Sequence, residues 1–217
     1  MCGRFDTSHL TWAQIHAQLA GFAKVKTAPL NLQPNPDVRP TTEQVVARLD
    51  QDGEWTLDKM RWGLVPFWRN GKPLKDTEKG KGDGFKLTTF NCRVEGCATA
   101  ATFKGAFGKR RCIVPASAWF EWTGEAGSKI KHRFARADGA PIWFAGLWDR
   151  CTTPDAGAVT SFTIMTGPSA GALSDYHDRA PVILEPEDWG VWLDPAQDAA
   201  ALMASVRPER FEVDVAG

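Results

Sequence analysis

The chain has 217 residues, and its 26 Lys and Arg residues are balanced by 26 Asp and Glu residues, for a pI near 6.9. This balance excludes the global positive field of a strong non-specific nucleic-acid binder, although a local basic groove remains compatible with it. Apolar residues make up 43% of the chain, which is enough for a core and argues against disorder. Ten Trp against one Tyr indicate stacking or groove surfaces.

The sequence has no apolar run near the ~18 residues of a membrane span, and its first residues lack the apolar segment of a secretion signal. The five cysteines are irregularly spaced and match no zinc pattern. We therefore expect a reduced, cytoplasmic protein with free thiols, no metal, no cofactor and no membrane partner.

The first half of the chain predicts one helix, a proline-rich extended segment over 26–40 and two strands. The helix is predicted over Ser8–Gly21, with Thr7 or Ser8 as its N-cap, from apolar residues at helical spacing. The strands are predicted over 45–49 and 55–64.

The second half predicts mostly short strands joined by turns and short helices, which together indicate one α+β domain over 1–217. Its core is expected to be a mixed, largely antiparallel sheet of barrel-like form with flanking helices. The predicted strands cover 87–94, 111–122, 131–137, 142–148, 161–166 and 181–184, the helices 99–107, 169–176, 186–193 and 196–206, and the hairpin turns 124–128 and 138–139.

The second residue carries the most specific chemistry in the sequence. If Met1 is removed, Cys2 becomes a 1,2-aminothiol whose α-amine, with a reference pKa of about 7.7–8.0, is partly neutral at pH 7. Such an amine condenses with an aldehyde to a Schiff base, and the adjacent thiol can then close a thiazolidine ring. An internal cysteine cannot do this, because its nitrogen is in an amide bond. The alternative is an inert thiol behind a chance Met-Cys start.

Glu121 stands among three aromatic residues in the segment Trp119-Phe-Glu-Trp122. On a strand it would share a face with Trp119, and an apolar wall raises the pKa of a carboxyl toward neutrality, which suits a proton shuttle. The alternative is a solvent-facing carboxylate on an edge strand.

Two further segments concentrate polar side chains. His177, just before an apolar strand, is either a general acid or base or a hydrogen-bonded turn residue. Asn91, Arg93 and Glu95 alternate along a predicted strand, a pattern that suits the wall of a site and a solvated face equally well.

Six motifs occur in order between residues 1 and 184. They are Met-Cys-Gly-Arg-Phe at 1–5, Trp62-Gly-Leu-Val-Pro66 with Trp68, Asn91-x-Arg93-x-Glu95, Arg111-Cys-Ile-Val-Pro115, Trp119-Phe-Glu-Trp122 and His177-Asp-Arg179-x-Pro181. Taken together, with the first at the extreme N-terminus, they resemble the SRAP family (SOS response-associated peptidase), which includes abasic-site processing proteins.

The resemblance implies a DNA-damage protein that crosslinks covalently to abasic sites in single-stranded DNA. It implies that Cys2 forms the Schiff base and the thiazolidine, and that Asn91 positions the Cys2 backbone and the sugar. Glu121 is implied to assist imine formation and His177 the opening of the sugar ring. The family name also implies a peptidase step in which Cys2 helps to remove Met1.

The resemblance also implies DNA contacts. Guanidinium groups pair with backbone phosphates, and tryptophan rings support exposed bases. Single-stranded DNA containing abasic sites is thus the expected partner of a monomer that would be nucleoid-associated when bound to damaged DNA. The implied DNA-contact residues are Gly3, Arg4, Trp68, Arg93, Trp122 and Arg179.

Several positions depart from the family pattern. Members usually carry a Tyr-Asn pair before an Ala-Pro or Arg-Pro step, where this chain has Pro36-Asp-Val-Arg-Pro40. The segment 69–86, rich in Gly and Lys, is longer than in many members and is predicted to be a mobile surface loop that either samples DNA or is a solvated insertion. The other departures are Cys92 for alanine, Gly96 for threonine and Ala180 for a larger residue.

Two other functions fit parts of the sequence. Class II glutamine amidotransferase domains also begin Met-Cys-Gly and use the cysteine as an acyl nucleophile, but we find no Asn-Gly oxyanion turn in a suitable place. A non-covalent module that reads modified bases with its aromatic surface would keep its DNA binding in a Cys2→Ala variant. Glutaminase activity would favour the first of these functions.

Overall fold

The computed structural model of the protein describes residues 2–74, 89–204 and 208–216. Strands dominate, and the helices are short. The strands are β1 Phe5–Asp6, β2 Glu43–Leu49, β3 Trp55–Trp62, β4 Asn91–Arg93, β5 Arg111–Ala116, β6 Ala118–Thr123, β7 Ile130–Arg136, β8 Ile142–Thr153, β9 Gly157–Pro168, β10 Arg179–Pro181 and β11 Phe211–Val215. The α-helices are α1 Trp12–Ala20, α2 Lys104–Phe107 and α3 Trp189–Leu193.

Five strands close into a barrel. Going round the ring, β9 pairs with β3 in parallel, and antiparallel pairings then join β3 to β2, β2 to β5, β5 to β8 and β8 back to β9. Closure leaves these five strands without a free edge. The predicted α+β class with a barrel-like, largely antiparallel core is confirmed.

A second sheet packs beside the barrel, with strand order β1-β6-β7-β11. The sequence predicted one strand over 111–122, but the chain leaves the barrel at Ser117, whose N–H donates to the Asp6 carbonyl at 2.7 Å, and continues as β6 in the second sheet. Near the end of β9, Thr166 pairs with Arg93 of β4 on one side and with Pro181 of β10 on the other. The site described below lies where the second sheet, β4 and β10 meet.

The barrel strands bury both of their faces. The face inside the ring packs against aromatic residues of the second sheet, and the rings of Phe5 and Trp62 lie 4.9 Å apart. The outer face packs under α1 and α3, where the indole N–H of Trp55 donates to the Leu19 carbonyl at 3.0 Å. The inner face includes Val46, Met60, Trp62, Cys112, Val114, Phe144, Phe162 and Ile164, and the outer face includes Ala47, Trp55, Leu57, Ile113, Trp143, Ala145 and Leu147.

The first helix begins later than predicted. Asp6 accepts hydrogen bonds from the backbone N–H and the hydroxyl of Ser8, which holds Ser8 in a turn. Thr11 is the N-cap instead, and it forms a capping box with Gln14. The helix therefore spans nine residues, not the fourteen expected.

Other predicted helices are also shorter, and part of 169–176 is a 3-10 turn over Gly171–Asp175. The helix predicted over 196–206 reduces, in the described residues, to a 3-10 turn over Leu202–Ala204. A strand was predicted over 181–184, but β10 ends at Pro181, and β11 was not predicted at all. Short helices of this kind depend on tertiary packing, which sequence periodicity does not reveal.

The segment 69–86 is only partly described. Its first residues contact the barrel: Arg69 is 1% exposed, and Gly71 donates to the Thr152 carbonyl at 2.9 Å. The side chain of Asn70 accepts the Thr152 N–H at 2.7 Å, so this stretch is fixed to the end of β8. The remainder of the predicted loop, 75–86, and the first residues of the strand predicted over 87–94 lie outside the described residues.

Candidate active site at the N-terminus

Cys2 lies three residues before the start of β1 and is fully buried. Its carbonyl oxygen accepts a hydrogen bond from Nδ2 of Asn91 at 2.7 Å. The Phe120 N–H donates to the Arg4 carbonyl at 3.0 Å, which carries the pairing of β1 and β6 toward the N-terminus. The backbone of residues 2–4 is thus fixed from two sides, by β4 and by β6.

Asn91 is placed by the parallel pairing of β4 with β9, in which it lies opposite Ile164. Its side chain is 7% exposed, and its Oδ1 is buried without a hydrogen-bond donor in the described part of the chain. A buried acceptor that lacks a donor is costly, so this oxygen is a candidate contact for a further polar group.

The thiol of Cys2 is held in its protonated form. Burial raises its pKa far above the usual value, and the negative charge of Glu121 adds to the effect. Sγ makes one weak contact, with the Arg4 carbonyl at 3.9 Å. A base close to the thiol is needed before the sulfur can react as a nucleophile.

Glu121 supplies a titratable group next to Cys2. It lies on β6 with only 4% exposure, so it is not the solvent-facing residue that was the alternative expectation. Burial raises the pKa of its carboxyl from 4.5 to about 7, and the nearby charge of Asp178 acts in the same direction. Near neutral pH, both protonation states are therefore populated.

His177 lies in the turn before β10, with its side chain 31% exposed. Its Nδ1 accepts the Arg179 N–H at 2.9 Å, and the exposed carboxylate of Asp178 also lies 2.7 Å from this nitrogen. Because the amide hydrogen is fixed by the backbone, we place the proton of the neutral ring on Nε2. Burial lowers the pKa of His177, which favours this neutral form.

We call Cys2, Asn91 and Glu121 the floor of the site, because all three are nearly or fully buried. The rim is formed by two ion pairs, Arg4 with Asp37, both partly exposed, and largely buried Arg179 with exposed Glu95.

At the first rim pair, the Arg4 guanidinium lies 5.3 Å from the centre of the Trp122 ring and 3.3 Å from Oδ1 of Asp37. This brings together two of the residues for which DNA contacts were expected, and the sequence did not indicate that Asp37 lies beside them. Gly3, between Cys2 and Arg4, is half-buried.

At the second rim pair, Arg179 makes two hydrogen bonds to Glu95, at 2.5 and 2.9 Å, and a third to the Thr166 carbonyl at 2.6 Å. Arg93 is exposed on β4, two residues from buried Asn91. The strand ends at Arg93, so the alternation expected to continue to Glu95 does not.

Trp68 lies on a separate 3-10 turn, Phe67–Arg69. Its indole N–H donates to the Ala101 carbonyl at 3.2 Å, and 40% of the residue is exposed. Phe67 beside it is 51% exposed, so the two rings form an apolar surface patch.

Sequence reasoning missed His132, which lies directly across the sheet from Glu121 in the β6–β7 hairpin and so on the same face. It is 8% exposed, its Nε2 lies 2.7 Å from the hydroxyl of Thr123, and its ring contacts that of Tyr176 at 4.7 Å. The signal was incomplete: a turn over 124–128, counted outward, pairs Glu121 with Lys131, whereas the connection between the two strands is one residue longer and puts His132 there.

Within the described residues, we find no group of three or more His, Cys, Asp or Glu side chains arranged to hold a metal ion. The described helices are all too short or too polar to cross a membrane. The five cysteines are buried and free.

A family model, SOS response associated peptidase (SRAP), matches residues 1–215. The chain belongs to the SRAP family. The family assignment agrees with the resemblance carried by the six sequence motifs and covers nearly the whole chain.

Curated SRAP relatives are named as abasic site processing proteins. One is YedK of Escherichia coli, 32% identical over 199 residues that cover 89% of this chain and 79% of YedK. Another, from Saccharomyces cerevisiae, is 33% identical over 160 residues, 73% of this chain but only 39% of the yeast protein. The chain therefore spans well under half of that relative's length.

Solved structures share the fold. A protein of Bordetella bronchiseptica matches with a TM-score of 0.78 at 26% identity, over 100% of both chains. A phage-related protein of the same organism matches with a TM-score of 0.72 at 25% identity, over 99% of this chain and 94% of the other.

Proposed function

We propose that this SRAP protein processes abasic sites in DNA by forming a covalent crosslink to them in single-stranded DNA through Cys2. The names of the curated relatives support the abasic-site substrate. The observation that carries the covalent chemistry is the position of Cys2, fully buried between Asn91, which bonds its carbonyl, and Glu121, whose charge acts on its thiol.

The reaction requires the removal of Met1, because the Cys2 nitrogen is otherwise in an amide bond. The free amine then adds to the aldehyde carbon of the open-chain abasic sugar, and loss of one water gives an imine. The sulfur adds to the imine carbon while the thiol proton passes to the nitrogen, which closes the thiazolidine. The net change is addition of the DNA with loss of one water.

Glu121 is suited to carry protons between these steps. With a pKa of about 7 it can donate to the departing hydroxyl of the first adduct and, as a carboxylate, accept the thiol proton. Since the Cys2 thiol does not ionise at neutral pH by itself, the second transfer is the one that most needs a base.

His177 is suited to the preceding step, the opening of the closed sugar. Its Nδ1 is engaged by the Arg179 N–H, so the neutral ring offers the hydrogen on Nε2. A donor of this kind assists departure of the ring oxygen, which becomes a hydroxyl as the aldehyde forms. The buried acceptor Oδ1 of Asn91 is available to a hydroxyl of the sugar or to the Cys2 amine.

We propose that the same thiol also acts in the removal of Met1. Attack of Sγ on the Met1 carbonyl carbon would transfer the acyl group from nitrogen to sulfur, and water would then release methionine from the thioester. Protein made without aminopeptidase activity should still lose Met1 over time, whereas its Cys2→Ala variant should retain it. Equal retention in both would assign the removal to another enzyme.

The experiment that tests the crosslink is the intact mass of untagged protein, before and after mixing with a single-stranded oligonucleotide that contains one abasic site. We expect a starting mass without Met1, then a heat-stable adduct equal to protein plus DNA minus one water. Cys2→Ser, made in cells with methionine aminopeptidase so that Met1 is removed, keeps the amine but not the sulfur, so its adduct should be an imine that heat reverses and borohydride traps.

Cys151→Ala is the matched control, since it removes a buried thiol on β8, in a different apolar cluster from Cys2. It should crosslink like the unaltered protein. A blocked N-terminal amine that still crosslinks would contradict the mechanism. Loss of Met1 with no adduct would instead favour a glutamine amidotransferase or a non-covalent module that binds modified bases. A glutamine hydrolysis assay and a DNA-binding assay distinguish these two functions.

A further inference from the structure

A cluster of three cations surrounds one carboxylate beside the floor of the site. Phe5 and Val38 form an antiparallel bridge, which puts Arg4 directly opposite Arg39. Residues opposite each other in such a bridge point to the same face, so two positive side chains are held side by side. Like charges in that position repel, and Asp37, two residues before Arg39, points to the same face.

The carboxylate of Asp37 is shared unequally between the two arginines. Arg39 donates to Oδ2 from Nε at 2.8 Å and from Nη2 at 2.5 Å. Arg4 lies farther away, with Nη1 at 3.3 Å from Oδ1 and 3.4 Å from Oδ2. Oδ1 is buried and accepts no hydrogen bond of good geometry within the described residues. Arg4 is therefore attracted to Asp37 without being well bonded to it.

A third cation adds to the cluster from the second sheet. Lys131 lies opposite Trp122 in the β6–β7 hairpin, and its Nζ is 3.8 Å from the centre of the Phe120 ring. Its charge also acts on Asp37: burial raises the pKa of that carboxyl, but Arg39, Arg4 and Lys131 together outweigh burial and bring the pKa below its usual value. The cluster thus has three positive charges, one negative charge and two flanking aromatic rings, of which Phe120 is buried beneath Lys131 and Trp122 is the partly exposed ring open to a base.

Cations interleaved with aromatic rings are the arrangement that holds a single nucleic-acid strand, with phosphates on the cations and bases on the rings. We propose that Arg4, Arg39 and Lys131 form a phosphate-binding site for the single strand next to the lesion, and that Asp37 is an internal counter-ion which a phosphate must displace from Arg4. This inference rests on the proposed function. It predicts that Arg4, Arg39 and Lys131 strengthen DNA binding, whereas Asp37 weakens it.

The test is the affinity of the purified protein for an undamaged single-stranded oligonucleotide, measured by fluorescence anisotropy across a range of salt concentrations. Asp37→Asn keeps the size of the side chain and removes its charge. We expect tighter binding, by roughly fivefold at about 50 mM salt, because each added phosphate contact on a single strand steepens the slope of log K against log salt by about 0.7. Arg39→Gln should weaken binding and make the slope shallower by a similar amount.

The chain contains a matched control on its barrel. Arg48 lies 4.8 Å from the centre of the Trp148 ring and 2.8 Å from Asp58. This group, which lies outside the site, has the same three residue types as Arg4, Trp122 and Asp37. Asp58→Asn changes the net charge by the same amount as Asp37→Asn. It should leave the affinity and the salt slope unchanged, which separates a local effect from the effect of total charge.

The outcomes distinguish this inference from the proposed function. If the unaltered protein crosslinks to abasic DNA and Asp37→Asn binds no more tightly, or binds more weakly, Asp37 serves to hold the arginines and the inference is wrong. If Asp37→Asn and Asp58→Asn tighten binding equally, the effect is one of net charge and the inference is also wrong. If Asp37→Asn alone tightens binding while no crosslink forms, the phosphate site stands and the covalent function fails.

Discussion

The floor and the rim of the site use ionisable groups in opposite ways. In the floor, burial favours the neutral forms: it raises the pKa of the Cys2 thiol and brings that of Glu121 to about 7. In the rim, ion pairing favours the charged forms, and Arg179 lowers the pKa of Glu95 to about 2. The difference teaches that groups with neutral forms near pH 7, which the proposed proton transfers need, and charged groups, which the proposed phosphate contacts need, lie at different depths in one site.

The largest effect predicted from this difference between floor and rim is at Glu121. Glu121→Gln removes the titrating group and keeps the shape, so crosslinking should slow by about 10²-fold or more, the usual contribution of a general acid or base. The rate of the unaltered protein should change through pH 7, the pKa of this carboxyl, and the variant should lose that change and keep only the dependence on the Cys2 amine, whose reference pKa is about 7.7–8.0. Single-turnover gels over a pH series measure both.

Binding of the Glu121→Gln variant to undamaged single strands should remain within about twofold of the unaltered protein, since mutations outside the phosphate contacts leave the electrostatic part of affinity intact. A parallel loss of binding and rate would mean that Glu121 maintains the structure of the site. A full crosslinking rate in the variant would remove Glu121 from the mechanism.

The stability of Glu121→Gln at different pH values gives a second test of how burial affects the floor of the site. A pKa raised from 4.5 to about 7 stabilises the folded state while Glu121 is protonated, and this contribution is lost as the pH rises through 7. Ionised Glu121 then costs the folded protein up to roughly 3 kcal/mol. Glu121→Gln should therefore be more stable than the unaltered protein at pH 8, with the two converging near pH 4, in urea unfolding. If the variant were less stable than the unaltered protein at pH 8, ionised Glu121 would not destabilise the folded state, contrary to this prediction.

The smallest effect is expected at the rim. Glu95 is 55% exposed, so Glu95→Gln should cost no more than about 1 kcal/mol in unfolding free energy, and added salt should reduce the difference. The pH dependence has the opposite sign from that of Glu121: the lowered pKa stabilises the fold above about 4.5, and the contribution disappears as the pH falls toward 2. A loss well above 1 kcal/mol would mean that Arg179 is left buried without its partner.

The sequence predicted best those features that depend on neighbouring residues. Trp119 and Trp122 around Glu121 indicated an apolar setting, and the structure agrees that burial raises the pKa of this carboxyl. Cys2 could be singled out because its chemistry depends on its place next to Met1. The α+β class followed from many short strands and few helical segments, and the structure confirms it.

The sequence could not predict contacts that depend on how distant strands cross. Asp37 meets Arg4 only because Val38 bridges to Phe5, and Glu95 meets Arg179 only because β4 and β10 flank the end of β9. Periodicity reports which face of a strand a residue occupies, not which strand lies beside it. The roles of Asn91 and His177 accordingly came from the family resemblance, and they remain predictions.

The burial of Cys2 has a consequence for the lifetime of the protein under oxidative stress. Peroxide attacks thiolates, and a thiol that is fully buried with a raised pKa presents almost none. Cys2 in this buried setting should therefore resist oxidation by peroxide, and exposure of the thiol would remove that protection.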